Sequence, residues 1–188
     1  MSVSSRGGPA LLRRGCGLPR PAWSISFRRV KKVNLHEVAE EEQKSPKGKY
    51  QSFCKNLSVA LGARRRVNEP GDAHPFDVQI RRLPPGKSVC PYHSHTTQWE
   101  MFIIVSGTAS VRRDGETQAV KTGDVFVHPP GTTHQITNAS AIEDLVVQII
   151  ADNPPVDVFH YPDSGKFGAR PLGKYFRLVE ADYFDGEE

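Results

Sequence analysis

Turn-forming residues punctuate the chain from residue 75 onward so densely that the segments between them read as strands. Pro84-Pro85-Gly86, Gly107, Asp114-Gly115, Gly123-Asp124 and Pro129-Pro130-Gly131 each interrupt a run of alternating or continuous apolar residues. Phe76, Val78 and Ile80 alternate with polar neighbours, the pattern of a half-buried strand ended by Pro84. Further strands are expected from near Ser88, over Trp99–Val105, Thr108–Arg113, Glu116–Lys121, Val125–His128 and Thr133–Asn138, and over Leu145–Ala151. Asp114-Gly115 predicts a two-residue hairpin of the primed type. About eight close strands with no helical period among them define an all-β chain, a jelly-roll sandwich or barrel.

At 188 residues the chain is one globular domain with appendages. Its longest apolar run, Met101–Val105, is far shorter than the roughly 18 residues that span a bilayer, so no membrane partner is expected. The net charge of +4 would suggest nucleic acid if it were spread over the fold. It is not, because residues 1–36 hold eight Lys or Arg and no acid, leaving 17 basic against 21 acidic residues in the remainder. The short runs Arg64-Arg65-Arg66, Arg81-Arg82 and Arg112-Arg113 read as solvated strand ends, and no nucleic-acid partner is expected. Residues 1–33 have the composition of an organellar transit peptide, but their glycines and prolines equally suit a disordered extension. The expected organisation is therefore 1–33 as a disordered or targeting extension, 34–69 as an N-terminal arm packing on the barrel, 70–152 as the barrel and 153–188 as a C-terminal extension. A cytoplasmic location is expected, or an organellar one if the first segment is a transit peptide.

Cys16, Cys54 and Cys90 form no C-x-x-C pair, which speaks against a disulfide framework or a zinc ribbon, and Cys90 is expected as a buried strand residue. Along residues 99–105 both faces are mostly apolar: Glu100, Phe102 and Ile104 on one side, Trp99, Met101, Ile103 and Val105 on the other. One face lines the barrel and the other needs cover, from the N-terminal segment or from another subunit, and of the two a homodimer is expected.

The chemistry concentrates in two stretches. The first spaces Gly86, His93, His95, Glu100 and Gly107 as G-x6-H-x-H-x4-E-x6-G. Two positions apart on a strand, His93 and His95 point to one face, and Glu100 follows a Thr96-Thr97 corner onto a neighbouring strand. The second stretch, G-x5-P-x-G-x2-H-x3-N over Gly123, Pro129, Gly131, His134 and Asn138, brings in a third imidazole. Three imidazoles and a carboxylate converging in a barrel mouth make a site for one divalent transition metal, with Mn, Fe, Ni and Zn all compatible with the donors.

At all ten of those positions the chain resembles the two motifs of the cupin superfamily, and most closely its small single-domain members, some of them sugar-phosphate isomerase-like. The first motif has one residue more between Gly86 and His93 than the commonest form. The resemblance spans residues 70 to 152 and implies a double-stranded β-helix with metal ligands at His93, His95, Glu100 and His134. Tyr92, Gln98, Phe102 and His128 are candidate contacts for a small-molecule ligand, and proton transfer would fall to His128, Tyr92 or a metal-bound hydroxide. Two functions stay open. One is a metal-dependent enzyme (isomerase, dioxygenase or decarboxylase) acting on an oxygen-rich sugar-derived or carboxylate substrate; the other is a non-catalytic binding cupin whose metal is structural.

Overall fold

A computed structural model describes residues 31–63 and 74–188. The expected extension therefore lies, except for its last three residues, outside the described residues, as do Arg64, Arg65 and Arg66. Among the described residues thirteen strands run in chain order: β1 (Glu41–Lys44), β2 (Gln51–Asn56), β3 (Phe76–Leu83), β4 (Ser94–His95), β5 (Glu100–Ser106), β6 (Thr108–Arg113), β7 (Glu116–Lys121), β8 (Val125–His128), β9 (His134–Asn138), β10 (Leu145–Asp152), β11 (Asp157–Tyr161), β12 (Lys166–Arg170) and β13 (Lys174–Phe176). A 3-10 turn (Leu35–Glu37) and one short helix, α1 (Leu57–Ala60), are the helical elements among the described residues. No helix among them is long and apolar enough to cross a membrane.

The strands form three sheets, ordered β1-β2-β3-β10-β5-β8, β13-β12-β11-β4 and β7-β6-β9. All named strand pairs are antiparallel, so alternate residues of each strand face the barrel interior. Leu145, Val147 and Ile149 of β10, Phe102 and Ile104 of β5, Leu83 of β3, Ala109 and Val111 of β6, Val120 of β7 and Ile136 of β9 meet as one buried apolar cluster between the first and third sheets. The architecture is the expected all-β jelly-roll barrel.

The boundaries follow the turn residues. Asp114 and Gly115 both take positive φ, 47° and 89°, as a primed hairpin requires. Asn138 closes a turn, its side-chain amide donating to the Leu83 and Glu143 carbonyls at 2.9 and 2.8 Å.

Several expectations are corrected. The strand near Ser88 is three isolated bridges, Ser88 to Tyr50 and to Thr137 and His93 to His134, with Cys90 in a bend between Ser88 and His93 rather than in a strand. β4 pairs with β11 of the C-terminal region, so His95 and Glu100 sit in different sheets. Most consequentially, β3 is turned over relative to its apolar pattern. Asp77, Gln79 and Arg81 line an interior cavity, while Phe76 on the opposite face is 47% exposed. Tyr183 and Phe184 near the C-terminus pack on each other and stay largely exposed.

Gly107, at φ +90°, turns β5 into β6 with its α-carbon against β10. A side chain there would meet the Asp144 carbonyl oxygen at 2.9 Å and Leu145 Cα at 3.2 Å, whereas one at Gly131, φ +85°, meets open space. Gly131→Ala is expected to cost about 1 kcal/mol for its left-handed backbone, and Gly107→Ala more, roughly 2–4 kcal/mol, because rigid backbone must also move. Urea unfolding of the two variants side by side checks the order.

Candidate metal centre

His93, His95 and Glu100 place one ligating atom each within 4.8 Å of one another, a group able to hold a metal ion. His134 joins them: its Nε2 lies 2.7 Å from Glu100 Oε2. The four expected ligands are thus together, delivered by the bend before β4, by β4, by β5 and by β9. The mutual bridge between His93 and His134, with N–H···O distances of 3.1 and 2.7 Å, ties two of these segments directly.

The hydrogen bonds behind the rings decide what the front of each ring can be. His93 Nδ1 lies 2.9 Å from the Pro91 carbonyl, His134 Nδ1 3.2 Å from the Thr132 carbonyl, and His95 Nδ1 2.6 Å from Asp157 Oδ2. A carbonyl or carboxylate oxygen only accepts, so each Nδ1 carries the proton. In the neutral rings every Nε2 is then a lone pair, and all three point inward. The His93 and His95 Nε2 atoms face each other at 3.1 Å, two lone pairs opposed unless a cation lies between them. Ligands at right angles about a metal with bonds of ~2.1 Å sit ~3 Å apart, so this spacing fits a shared ion. Without one, the short His134 Nε2–Glu100 Oε2 contact needs a proton shared between the two atoms. Burial alone would raise the Glu100 pKa, but the His134 hydrogen bond and the charges of the three imidazoles outweigh it and hold the group at about 2.

Asp157 is the functional residue that the sequence reading missed. Fully buried at the start of β11, it accepts from His95 Nδ1 and, through Oδ1, from the backbone N–H of Thr96 and Thr97 at 3.0 Å each and from both threonine hydroxyls. Burial pushes its pKa up, yet the His95 and Thr97 hydrogen bonds bring it to about 2. An orienting carboxylate behind a ligating imidazole is the usual outer partner of a metal histidine. Phe159 of the same strand meets the His95 ring edge-on at a centroid distance of 5.0 Å, and Tyr161 stacks on His93 at 5.8 Å.

A cavity of about 230 Å³ opens over the cluster. Gln98 and Phe102 line it, as do Asp77, Arg81, Gln135, Asn153 and Arg170. Tyr92 and His128 do not. The Tyr92 hydroxyl accepts from Gly115 N at 2.9 Å and its ring lies 3.6 Å below the Arg112 guanidinium, so it anchors a hairpin. His128 stacks on the back of His134 at 4.0 Å and lines a second cavity between β6, β7 and β8. Burial and the neighbouring His134 lower its pKa to about 3. Asp77 lines the first cavity, which neither the Tyr92 nor the His128 side chain reaches. Cys90 also lines it, but burial and the Glu100 charge push its thiol up to about 12, which disfavours a nucleophilic thiolate.

A barrel with a His/Glu cluster in its mouth can be compared with known proteins. Residues 79–148 match the model of the cupin domain. The chain aligns with auxin-binding protein 4 of Zea mays at 31% identity, over 46% of its own length and 46% of that protein's, so it spans less than half of this curated relative. Among solved structures it resembles a proposed sugar phosphate isomerase from Acidithiobacillus ferrooxidans, at TM-score 0.66 and 21% identity over 81% of this chain and 99% of that one. It likewise resembles a cupin-superfamily sugar phosphate isomerase from Silicibacter pomeroyi, at TM-score 0.64 and 20% identity over 80% and 98%. These two likenesses show the fold. The family match itself is confined to residues 79–148, the stretch that carries His93, His95, Glu100 and His134.

Both depressed carboxylates favour the folded state above their ordinary range, and that contribution is lost as pH falls through their folded values near 2. Stability should therefore decline between about pH 4 and pH 2, and the decline should be shallower in Asp157→Asn. Denaturant titrations across that window measure both slopes.

Proposed function

We propose that this chain is a cupin that binds a small oxygen-rich molecule, sugar-derived or a carboxylate, at a divalent metal held by His93, His95, Glu100 and His134. The observation that carries the reading is the convergence of three imidazole nitrogens, each set as a lone pair by the acceptor behind its ring, on one carboxylate oxygen. Three neutral rings and one carboxylate leave a divalent ion with a net charge of about +1 and, if six-coordinate, two positions for a chelating substrate. When bound, the metal supplies Lewis acidity to a hydroxy-carbonyl or carboxylate group. The chain's own residues do the rest. Asp157 orients His95, Phe102 and Ile149 form an apolar wall, Gln98 and Gln135 offer polar contacts, and Asp77 is placed to take or return a proton. The likeness in fold to proteins given as sugar phosphate isomerases supports an isomerase-type reaction, so sugar phosphates head the substrate screen.

Elemental analysis of protein prepared without a histidine tag or chelator tests the metal. Near one equivalent of a transition metal is expected in wild type and none in His93→Ala or His134→Ala, while Asp157→Asn should weaken the affinity about 10–100-fold. A wild type that takes up no metal on reconstitution overturns the reading.

The expected homodimer belongs to the same proposal. Val125 and Val127 of the edge strand β8 and Val105 of β5 are 58%, 44% and 47% exposed on the outer sheet face. They register beside Met101 and Ile103, giving an uncharged surface that can meet a second copy of itself about a two-fold axis. Sedimentation should find a dimer that Val127→Asp dissociates; a monomeric wild type at tens of micromolar rejects it.

A further inference from the structure

We infer that the cavity receives a compact acid, and that Arg81 binds the end of that ligand which the metal does not: a carboxylate or phosphate. The inference rests on the metal reading above for the other end of the molecule. Arg81 and Arg82 are adjacent on β3 and face opposite ways. The outward Arg82 is paired with two carboxylates, Glu40 at 2.8 Å and Asp144 at 2.7 Å. The inward Arg81 lines the cavity that also contains His93, Glu100 and His134, and among the described residues it has no carboxylate partner. Neutral oxygens hold it instead. Its Nε donates to Gln79 Oε1 at 2.9 Å, and Nη1 to Gln43 Oε1 at 2.7 Å and Ser52 Oγ at 3.0 Å. Three of its five N–H groups are thereby used to fix the guanidinium plane, and among the described residues neither N–H group of Nη2 has an acceptor.

The scaffold around Arg81 positions it without neutralising it. Gln79 donates from Nε2 to Asp77 Oδ2, which sets its amide so that Oε1 faces Arg81. Asp77 thus acts on Arg81 through a neutral amide rather than as a direct ion pair. A second guanidinium, Arg170 from β12, lines the same cavity. It donates from Nη1 only to the Pro154 carbonyl, at 3.3 Å, and lies 5.8 Å from the Phe159 ring centroid. Counting a divalent ion, Glu100, Asp77 and the two arginines, the cavity carries about +2, a field that favours an anionic ligand over a neutral polyol. A planar fork with two free donors suits the oxygens of a carboxylate or phosphate. The volume of about 230 Å³ lies below the roughly 300–1,000 Å³ that encloses drug-sized ligands, so the acid is small.

Three probes separate the two ends of such a ligand. Lactate carries only a chelating hydroxy acid, malate adds a carboxylate, and 3-phosphoglycerate adds a phosphate. In calorimetric titration of the full chain reconstituted with metal, malate or 3-phosphoglycerate should bind at least tenfold tighter than lactate, and the preferred one identifies the anion. In Arg81→Gln that advantage should vanish while metal content and lactate affinity stay within twofold; Arg81→Met replaces it should the glutamine variant not fold. An advantage that survives in the Arg81 variant, or no advantage in metal-loaded wild type, overturns the inference. If wild type takes up no metal, the metal reading fails separately, and the same Arg81-dependent preference measured on the metal-free protein still decides the anion.

Discussion

The cluster depends on the acceptors behind its rings. A histidine in an apolar barrel could present a donor, an acceptor or a proton, and each choice defines a different site. The Pro91 and Thr132 carbonyls and the Asp157 carboxylate remove that freedom by accepting a hydrogen bond from the Nδ1–H of each ring. What remains is a set of lone pairs that repel one another and a carboxylate that attracts whatever positive charge is available. Unpaired polar atoms buried in this way cost several kcal/mol, so the arrangement is stable only with a proton or a cation at its centre.

The barrel explains how such a cluster can be assembled from distant pieces. The first and third sheets enclose the apolar core, while β12 pairs with β11 and β11 with β4, the strand that carries His95. Those strands contribute the carboxylate behind His95, the rings flanking His93 and His95, and the second cavity arginine. The site is therefore shared between the barrel and the segment that follows it.

The strands bounded by Pro, Gly and Asp-Gly were legible in the sequence to within about a residue, because a turn is written in the residues that make it. The four clustered side chains were legible for a related reason: their spacing is local within each motif. Asp157 was not, since its partner lies 62 residues away and nothing near it marks the pairing of β11 with β4. The facing of β3 was misread on physical grounds. Alternation predicts that Val78 and Ile80 point inward, a rule that holds where the interior is dry. Here that part of the interior is a cavity, and Asp77, Gln79 and Arg81 take the inner face. Tyr92 and His128 lay close to the ligands in sequence, yet the turn at Gly115 and the stacking on His134 direct them elsewhere.

The 62-residue separation between His95 and Asp157 also sets an order in time. At about 5–20 residues per second, a ribosome delivers the carboxylate roughly 3–12 s after the imidazole it steadies. During that interval the nascent chain holds His93 and His95 without the partner that fixes the His95 tautomer. A metal captured then would meet a looser ring, free to bind through either nitrogen. The strands that follow the barrel thus complete the surroundings of His95, and that segment acts on the imidazole as a latch closed only after the barrel's own strands have been made.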